Sequence, residues 1–144
     1  MTPKPRLLSI GEVARGVGVR VETVRFYEKE GLVPKPTRKS SGHRQYPPDV
    51  LRRIRFVQAA KELGFTLKEI RELLALRVAR GKTCADVKQQ AVTKLADVEA
   101  KLAELHRMRD ALARLAAFCT GAGPTSACPL LDALDAQGDD HADR

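Results

Sequence analysis

The stretch SIGEVARGVGVRVETVRFYEKEGLV, residues 9–33, carries the signals of two short helices joined by a tight turn. Ser9 is a good N-cap for the first helix, and the glycines at positions 16 and 18 end it. The second helix is predicted over Val21–Lys29 and stops at Gly31. The apolar residues assigned to the inner face are Ile10, Val13, Ala14, Val21 and Val24. Two short helices around a glycine-containing turn predict a helix-turn-helix.

The second helix has a polar outer face that suits a DNA groove. Recognition helices place charged and hydroxyl side chains against base edges and phosphates. The residues that this helix would offer to a groove are Arg20, Glu22, Thr23 and Arg25, with Tyr27 near a phosphate.

The segment TRKSSGHRQYPPDV, residues 37–50, has the turn chemistry of a short hairpin. Tyr46 closes this hairpin before two prolines lead into the next helix. Basic residues flank its Ser-Gly turn, namely Arg38, Lys39, His43 and Arg44. The alternative interpretation is a solvated basic loop, but the neighbouring helix pair favours a DNA-binding wing.

The net charge of +8 is concentrated in the first part of the chain. Residues 1–80 hold 18 Lys and Arg against 8 Asp and Glu, a balance of +10, whereas residues 81–144 hold 8 against 10, a balance of −2. Such a basic half is typical of phosphate-backbone binding and also suits an anionic membrane surface. The chain lacks a signal peptide and an apolar run of the roughly 18 residues that span a bilayer, so we expect a cytoplasmic protein with no membrane partner.

Two further helices complete the N-terminal part of the chain. Residues 49–63 have apolar positions at helical spacing, and a capping box formed by Thr66 and Glu69 begins the next helix. The apolar residues of both helices are interpreted as core: Val50, Leu51, Ile54, Phe56, Val57, Ile70, Leu73 and Leu74.

The segment at residues 9–33, RQY at 44–46 and LGFTLKEI at 63–70 together resemble the MerR family of bacterial transcription regulators. The resemblance implies an N-terminal winged helix-turn-helix and a homodimer on palindromic promoter DNA, with RNA polymerase as a further partner. The positions that match the family's DNA contacts are Arg20, Thr23, Arg25, Tyr27, Arg44 and Tyr46. The charge of the hairpin adds Arg38 and His43 to the predicted DNA-binding residues.

Residues 83–118 are predicted to form one long helix, because no Pro or Gly interrupts the chain before Gly121. Thr83 is a good N-cap, and Asp86 stands three residues later in the position of a capping-box carboxylate. Apolar residues recur at alternating intervals of four and three, interrupted at Arg109: Ala91, Leu95, Val98, Leu102, Leu105, Leu112 and Ala116. This stripe predicts a coiled-coil dimer, and the alternative is packing on the chain's own N-terminal domain.

The three cysteines stand at the two ends of this long helix. Cys84 and Cys119 are 35 residues apart, roughly 50 Å along a helix, so one chain cannot bring them to one ion. An antiparallel pair of helices would place Cys84 of one subunit beside Cys119 and Cys128 of the other, giving two equivalent three-thiol sites. The loop CTGAGPTSAC, residues 119–128, has the glycines and the proline needed to fold back.

The chemistry of such a site favours a soft metal ion. Cys84 falls at a helix start, where unpaired N–H groups favour an anionic ligand. The loop from Cys119 to Cys128 contains no His, Asp or Glu, whereas structural zinc takes four ligands. Three thiolates favour Hg(II) first and Pb(II) next. The alternatives are incidental buried cysteines, or a disulfide between Cys119 and Cys128 in a thiol redox sensor.

The segments GKTCADV, KLADVEAKLAELHRM and CTGAGPTSACPLL resemble the mercury-responsive members of the same family. The resemblance implies that Cys84, Cys119 and Cys128 bind Hg(II) as the effector. It also implies that the apo protein represses a mercury-resistance operon and that the metal-bound protein activates it by distorting promoter DNA. Lead-responsive and zinc- or cadmium-responsive members have a similar cysteine spacing, so Pb(II), Cd(II) and Zn(II) stay open as effectors.

The sequence offers no residues for an enzyme, because it has no phosphate-cradling glycine loop and no nucleophile–base arrangement.

We predict a mostly α-helical protein with four parts. They are a winged helix-turn-helix DNA-binding domain over residues 1–80, a long dimerisation helix in an antiparallel coiled coil over 81–118, a metal-binding loop and short helix over 119–134, and a disordered tail over 135–144. His141 in that tail is interpreted as solvated. The competing functional class is a metal-buffering protein that binds nucleic acid without sequence preference.

Overall fold

The computed structural model describes residues 3–39 and 41–142, with side-chain positions for all of these except 139–142. The fold is mostly α-helical, as predicted, with an N-terminal helix-turn-helix, a small hairpin and one long helix. Its elements are α1 (Ile10–Val17), α2 (Val21–Lys29), β1 (Thr37–Arg38), β2 (Arg44–Gln45), α3 (Asp49–Glu62), α4 (Leu67–Val78), α5 (Cys84–Ala117), a 3-10 turn (Thr125–Ala127) and α6 (Pro129–Ala142). Within the described residues, no helix has the length and apolar character needed to cross a membrane.

The turn between α1 and α2 is fixed by signals at both ends of α1. Ser9 Oγ accepts a hydrogen bond from the Glu12 amide at 3.2 Å, and Glu12 Oε1 accepts one from the Ser9 amide at 3.3 Å. At the other end Gly18 has a φ of 70°, and the Val19 amide donates to the Ala14 carbonyl at 3.0 Å. Glycine is favoured at Gly18 because other residues are strained at positive φ. The helix-turn-helix predicted from the sequence is confirmed.

The predicted hairpin forms from β1 and β2, which pair antiparallel with Arg38 opposite Arg44. Gly42 in the turn has a φ of 84°, a conformation that favours glycine. The chain before α1 joins the same small sheet, because Leu8 and Tyr46 exchange two backbone hydrogen bonds of 2.7 and 2.8 Å. We call β1, β2 and the turn between them the wing.

The core of the helix-turn-helix part draws on α1 to α4 and on the residues around the wing. Its buried members are Val13, Ala14, Val24, Tyr27, Leu32, Val33, Tyr46, Val50, Ile54, Val57, Ala60, Ile70 and Leu74. Polar side chains of α3 meet carbonyl groups at the end of α1 and in the segment after α2. Gln58 Nε2 donates to the carbonyl of Val17, the last residue of α1, at 3.1 Å, and Arg53 Nε donates to the Leu32 carbonyl at 2.6 Å. The bond to Val17 satisfies a carbonyl that has no partner within its own helix.

The start of the long helix belongs to the same compact unit as the helix-turn-helix. The chain divides into two units, one ending at Lys94 and the other beginning at Leu95, whereas the sequence placed the boundary at residue 80. The Lys94 side chain is 11% exposed; its Nζ donates to Glu69 Oε1 at 2.8 Å and lies 5.6 Å from the centroid of the Phe65 ring. Because Glu69 also forms the capping box of α4 with Thr66, this contact attaches α5 to the start of α4.

Glu69 makes the stability of this unit depend on pH. The hydrogen bond from Lys94, followed by that from the Thr66 amide, lowers the pKa of Glu69 from 4.5 to about 2. A carboxylate whose pKa falls on folding stabilises the fold above its unfolded pKa, and this contribution is lost as the pH falls through the folded pKa. We therefore expect Glu69→Gln to lower the urea midpoint at neutral pH, with the gap to wild type closing between pH 4.5 and about 2. Glu72→Gln, an exposed carboxylate of the same helix, is the control, and a gap for Glu69→Gln that does not change with pH would contradict this role.

α5 is the long helix that the sequence predicted, continuous over Cys84–Ala117. Thr83 caps it, because the Ala85 amide donates to Thr83 Oγ1 at 3.2 Å and the Thr83 amide donates to Asp86 Oδ2 at 2.7 Å. The leucines and valine of the predicted stripe are exposed in the single chain: Leu95, Val98, Leu102, Leu105 and Leu112.

The tail that was predicted to be disordered over residues 135–144 is helical for most of its length. α6 runs from Pro129 to Ala142, and residues 143–144 lie outside the described part. Pro129 suits the first helical position, and Asp132 places a carboxylate in the positively polarised first turn. The acidic composition favoured disorder, but these start signals and the Leu, Ala and Gln residues that follow favour a helix. The prediction that His141 is solvated concerns a side chain that lies outside the described ones.

Candidate DNA interface and metal centre

The outer face of α2 presents the predicted polar residues to different degrees. Arg20, at the N-cap, and Arg25 are exposed, whereas Thr23 is half-buried. Phe26 is 43% exposed on this helix and was not predicted as a site residue. Its position directly after Arg25 was the available signal, since an exposed ring on a recognition helix suits contact with a thymine methyl group.

Side chains from α2 and the wing meet around one concavity of about 290 Å³. Four predicted DNA-binding residues line it, namely Arg25, Arg38, His43 and Arg44. The three arginines come from α2, β1 and β2, so three elements contribute guanidinium groups to one recess. Guanidinium donors match phosphate oxygens in charge and geometry. The recess is therefore a candidate site for the DNA backbone.

A carboxylate on α2 holds the wing against the recognition helix. The Tyr46 hydroxyl donates to Glu28 Oε2 at 2.8 Å, and Arg44 Nε lies 3.8 Å from Glu28 Oε1. Burial, followed by the hydrogen bond to Glu28, raises the pKa of Tyr46. Because Tyr46 and Arg44 both contact Glu28, this residue of α2 helps to hold the wing in place.

Two tyrosines that the sequence assigned to DNA contact are core residues instead. Tyr27 is 3% exposed and Tyr46 is 1% exposed, and Lys61 Nζ lies 5.6 Å from the centroid of the Tyr27 ring. Neither ring is presented at the surface, so we correct their assignment from DNA contacts to residues that position the surface. An aromatic residue at helical spacing gives the same sequence signal whether it lies in a core or on a binding face. Only the packing in the structure distinguishes a core tyrosine from one that contacts DNA.

Tyr46→Phe is expected to lower the free energy of unfolding by about 1–2 kcal/mol, since it removes a part-buried hydrogen bond to a carboxylate. Tyr27→Phe is the matched control, because the Tyr27 hydroxyl makes no hydrogen bond within the described part of the chain. Its loss should cost less than about 0.5 kcal/mol. Urea denaturation measures both variants, and equal losses would contradict the role given to the contact with Glu28.

Cys84 lies exposed in the first turn of α5. The unpaired N–H groups at a helix start favour an anionic ligand at this position. The neighbouring carboxylate of Asp86 is committed to the cap, and its hydrogen bond from the Thr83 amide lowers the pKa of Asp86. Cys84 is therefore a candidate ligand from this turn.

Cys119 and Cys128 lie at the two ends of the loop between α5 and α6, and both are half-buried. The Gly121 amide donates to Cys119 Sγ at 3.3 Å. Gly121 and Gly123 have φ values of 84° and 103°, which turn the chain back. Cys128 directly precedes α6, and its carbonyl accepts from the Asp132 amide at 3.2 Å. One sulfur thus has an amide donor and the other stands at a helix N-terminus, and both positions suit an anionic sulfur ligand.

The structure does not bring the three predicted cysteines together within one chain. Over the part of the chain that the structure describes, no three His, Cys, Asp or Glu side chains are grouped so that they could hold a metal ion. Cys119 and Cys128 share a loop of one compact unit, and Cys84 belongs to the other unit.

Two family models match overlapping parts of the chain. Residues 8–77 match the model described as MerR HTH family regulatory protein, and residues 51–115 match the model described as MerR, DNA binding. The first covers the helix-turn-helix and the wing, and the second reaches from α3 to near the end of α5.

Individual relatives match over most of the chain. A mercuric resistance operon regulatory protein from Serratia marcescens is 39% identical, over 90% of this chain and 89% of the relative. The HTH-type transcriptional regulator ZntR from Escherichia coli K12 is 38% identical, over 88% of this chain and 91% of the relative. The crystal structure of the transcription regulator PbrR691 from Ralstonia metallidurans CH34, in complex with Lead(II), has a TM-score of 0.81 and 35% identity, over 88% of this chain and 98% of that one.

Proposed function

This chain belongs to the MerR family of DNA-binding, metal-responsive transcription regulators, and we propose that it is a mercury-responsive member. As a homodimer it holds a palindromic operator, represses the promoter without metal, and activates transcription by RNA polymerase when Hg(II) is bound. The chain is a regulator and not an enzyme. The observation that carries the choice of ion is the set of three thiols, to which the loop from Cys119 to Cys128 adds no His, Asp or Glu.

The exposed stripe of α5 supports the homodimer. Leu95, Leu102 and Leu112 are each at least half-exposed in the single chain. A continuous row of large apolar side chains on a helix is typical of an interaction surface. Because these leucines are already about half-buried, each one that a second α5 covers would contribute roughly half of the 1.5–3 kcal/mol that full burial gives, and the row as a whole favours pairing.

An antiparallel arrangement of the two α5 helices is the one that joins the thiols. α5 has 34 residues and is therefore about 50 Å long. In a parallel pair, Cys84 would meet only its own copy. In an antiparallel pair, Cys84 of one subunit lies at the same end as Cys119 and Cys128 of the partner subunit. Each site then draws its ligands from both subunits, so metal binding and dimer geometry are coupled.

Donor chemistry favours Hg(II) among the metals that such regulators sense. Thiolates prefer soft ions, and three sulfur ligands satisfy Hg(II) without a fourth donor, whereas structural Zn(II) takes a closed set of four. Pb(II) is the second candidate, because a similar chain binds Lead(II). Relatives that are named for different metals are about equally similar to this chain, so sequence similarity does not select the ion. The choice of Hg(II) therefore rests on the three proposed cysteine ligands.

The path from metal to DNA runs through the start of α5. Cys84 lies ten residues before Lys94, and Lys94 attaches this helix to the α4 capping box at Glu69. When Cys84 and the partner's loop hold one ion, the dimer favours one of two arrangements. Each arrangement sets a different spacing between the two recognition helices. Because metal binds one arrangement more tightly than the other, metal binding is coupled to the conformation of the bound DNA.

A two-step experiment tests this function. The purified protein first selects sequences from a pool of random DNA duplexes, and a regulator yields a palindrome whereas a metal-buffering protein yields no preference. Transcription from a promoter carrying that palindrome is then titrated with Hg(II), Pb(II), Cd(II) and Zn(II), with bound metal measured in parallel. We expect Hg(II) to activate at the lowest concentration. Activation at lower Pb(II) or Zn(II) would reassign the ion, and activation by an oxidant without metal would favour a thiol redox sensor.

A further inference from the structure

We propose that residues 3–7 form a DNA-binding arm that extends the basic surface of the wing and holds a backbone phosphate in the groove between arm and wing. This inference rests on the proposed function, because it enlarges the surface that contacts the operator. The residues concerned precede α1 and belong neither to the recognition helix nor to the hairpin. Every residue of the arm is exposed.

The arm is anchored at its base to the wing. Leu8 follows it directly, and the two backbone hydrogen bonds between Leu8 and Tyr46 pin the chain beside the end of β2. Arg6 Nη2 also donates to Glu12 Oε2 at 2.8 Å, which holds the arm near the start of α1. The arm therefore has a fixed origin and direction relative to the DNA-binding residues of the wing.

A second concavity, of about 320 Å³, lies between the arm and the wing. Its lining includes three residues whose side chains are always cationic at neutral pH, namely Arg6, Lys39 and Arg44, together with His43. Glu12 also lines it, but its carboxylate is already bonded to Arg6 and to the Ser9 amide. Arg44 also lies 3.8 Å from the Glu28 carboxylate, so three cations stand against two carboxylates, and the remaining positive charge favours phosphate.

This groove adjoins the recess beside the recognition helix. His43 and Arg44 line both concavities, with Arg25 on one side and Arg6 on the other. A DNA strand that binds the recess beside α2 would therefore continue towards the arm. Basic side chains therefore extend from α2 through the wing to Arg6.

The arm has the composition of a segment that binds an extended polyanion. Pro3 and Pro5 fix their own backbone φ angles, so the arm has few conformations to lose when it binds DNA. Lys4 and Arg6 alternate with these prolines. Arg6 is 81% exposed and uses only Nη2 in its hydrogen bond to Glu12, so its other donors are free for phosphate within the described part of the chain.

The test is the salt dependence of DNA binding by the full-length Lys4→Ala/Arg6→Ala variant. Fluorescence anisotropy with a random-sequence duplex of about 30 base pairs, close to three helical turns, gives log K against log salt concentration. Each phosphate contact that is lost reduces the slope by about 0.9, so a dimer with one contact per arm should lose about 2. The affinity should fall on the order of tenfold at physiological salt.

Two controls separate the arm from other effects. Lys88→Ala/Lys101→Ala removes the same charge from exposed positions of α5 and should leave the slope unchanged. Glu12→Gln keeps the capping box, which accepts Gln, but releases Arg6 from its carboxylate, so affinity should stay equal or rise.

The outcomes distinguish this inference from the proposed function. If the wild-type protein binds no DNA duplex, the proposed function itself fails. If the wild-type protein binds and the arm variant has the same slope, the arm does not contact DNA. If the α5 control loses as much slope as the arm variant, the effect reflects net charge alone and the groove is not a phosphate site.

Discussion

Cys119→Ser is expected to abolish metal-dependent activation while leaving operator binding nearly unchanged. Serine preserves the size of the side chain but replaces a soft sulfur with a hard oxygen, which Hg(II) binds poorly. Loss of a residue that only hydrogen-bonds to a metal ligand typically lowers metal affinity by about 10- to 100-fold. Because Cys119 is a proposed ligand itself, its replacement should lower the affinity for Hg(II) by more than this. Competition with a small thiol measures this affinity, and transcription assays measure activation.

The same result is expected for Cys84→Ser and Cys128→Ser, because the proposed site uses all three sulfurs. Ser126→Ala is the matched control, since Ser126 lies in the same loop and offers no thiol. It should retain activation at wild-type metal concentrations. Full induction in any one of the three cysteine variants would rule out a three-thiol site.

Arg25→Ala is expected to weaken operator binding on the order of 100-fold, because a dimer loses two charge-assisted contacts to phosphate worth roughly 1.5–3 kcal/mol each. Arg25 is exposed on α2 and lines the recess that it shares with Arg38 and Arg44. Metal uptake should not change, since the proposed metal site uses no residue of α2. Anisotropy titration with the selected operator measures the first effect, and metal binding to the free protein measures the second.

Arg107→Ala controls for the loss of one positive charge from each subunit. Arg107 is exposed on α5 and belongs to neither the recognition helix nor the wing. It should lower operator affinity only slightly, because Arg107 lines neither of the two basic concavities. An Arg25→Ala variant with the affinity of this control would contradict the contact assigned to Arg25.

The helix starts were predictable because their signals lie within four residues. Ser9 and Glu12 form a capping box, and so do Thr66 and Glu69, as their spacing predicted. Thr83 caps α5 through the Ala85 amide, and Asp86 accepts from the Thr83 amide. Hydrogen bonds between residues this close depend little on the rest of the fold, so a single sequence is sufficient to predict them.

Contacts between distant elements were not predictable from the sequence. Tyr46 bonds to Glu28 across 18 positions, and Lys94 bonds to Glu69 across 25. No periodicity or spacing marks such pairs, because they depend on how separate elements pack. For the same reason Tyr27 and Tyr46 were assigned to DNA from their positions, and only their burial identified them as core residues.

The two candidate sites differ in how far one chain can define them. Arg25, Arg38, His43 and Arg44 converge within a single unit, so the sequence prediction of a basic surface has a counterpart in the structure. The three cysteines do not converge within the described residues of one chain. Their site stays a prediction that requires a second copy of α5 and antiparallel pairing.

Mixed dimers test that central claim most directly. A Cys84→Ser subunit and a Cys119→Ser/Cys128→Ser subunit, carrying different tags, are co-expressed and purified as the heterodimer, and Hg(II) binding is measured against a small-thiol competitor. If each site uses Cys84 of one subunit and the loop of its partner, neither parent homodimer has all three thiols at any site, but the heterodimer rebuilds one intact site. Restored binding of one Hg(II) per heterodimer is the predicted result. A heterodimer that binds no more tightly than its parents would contradict the shared site.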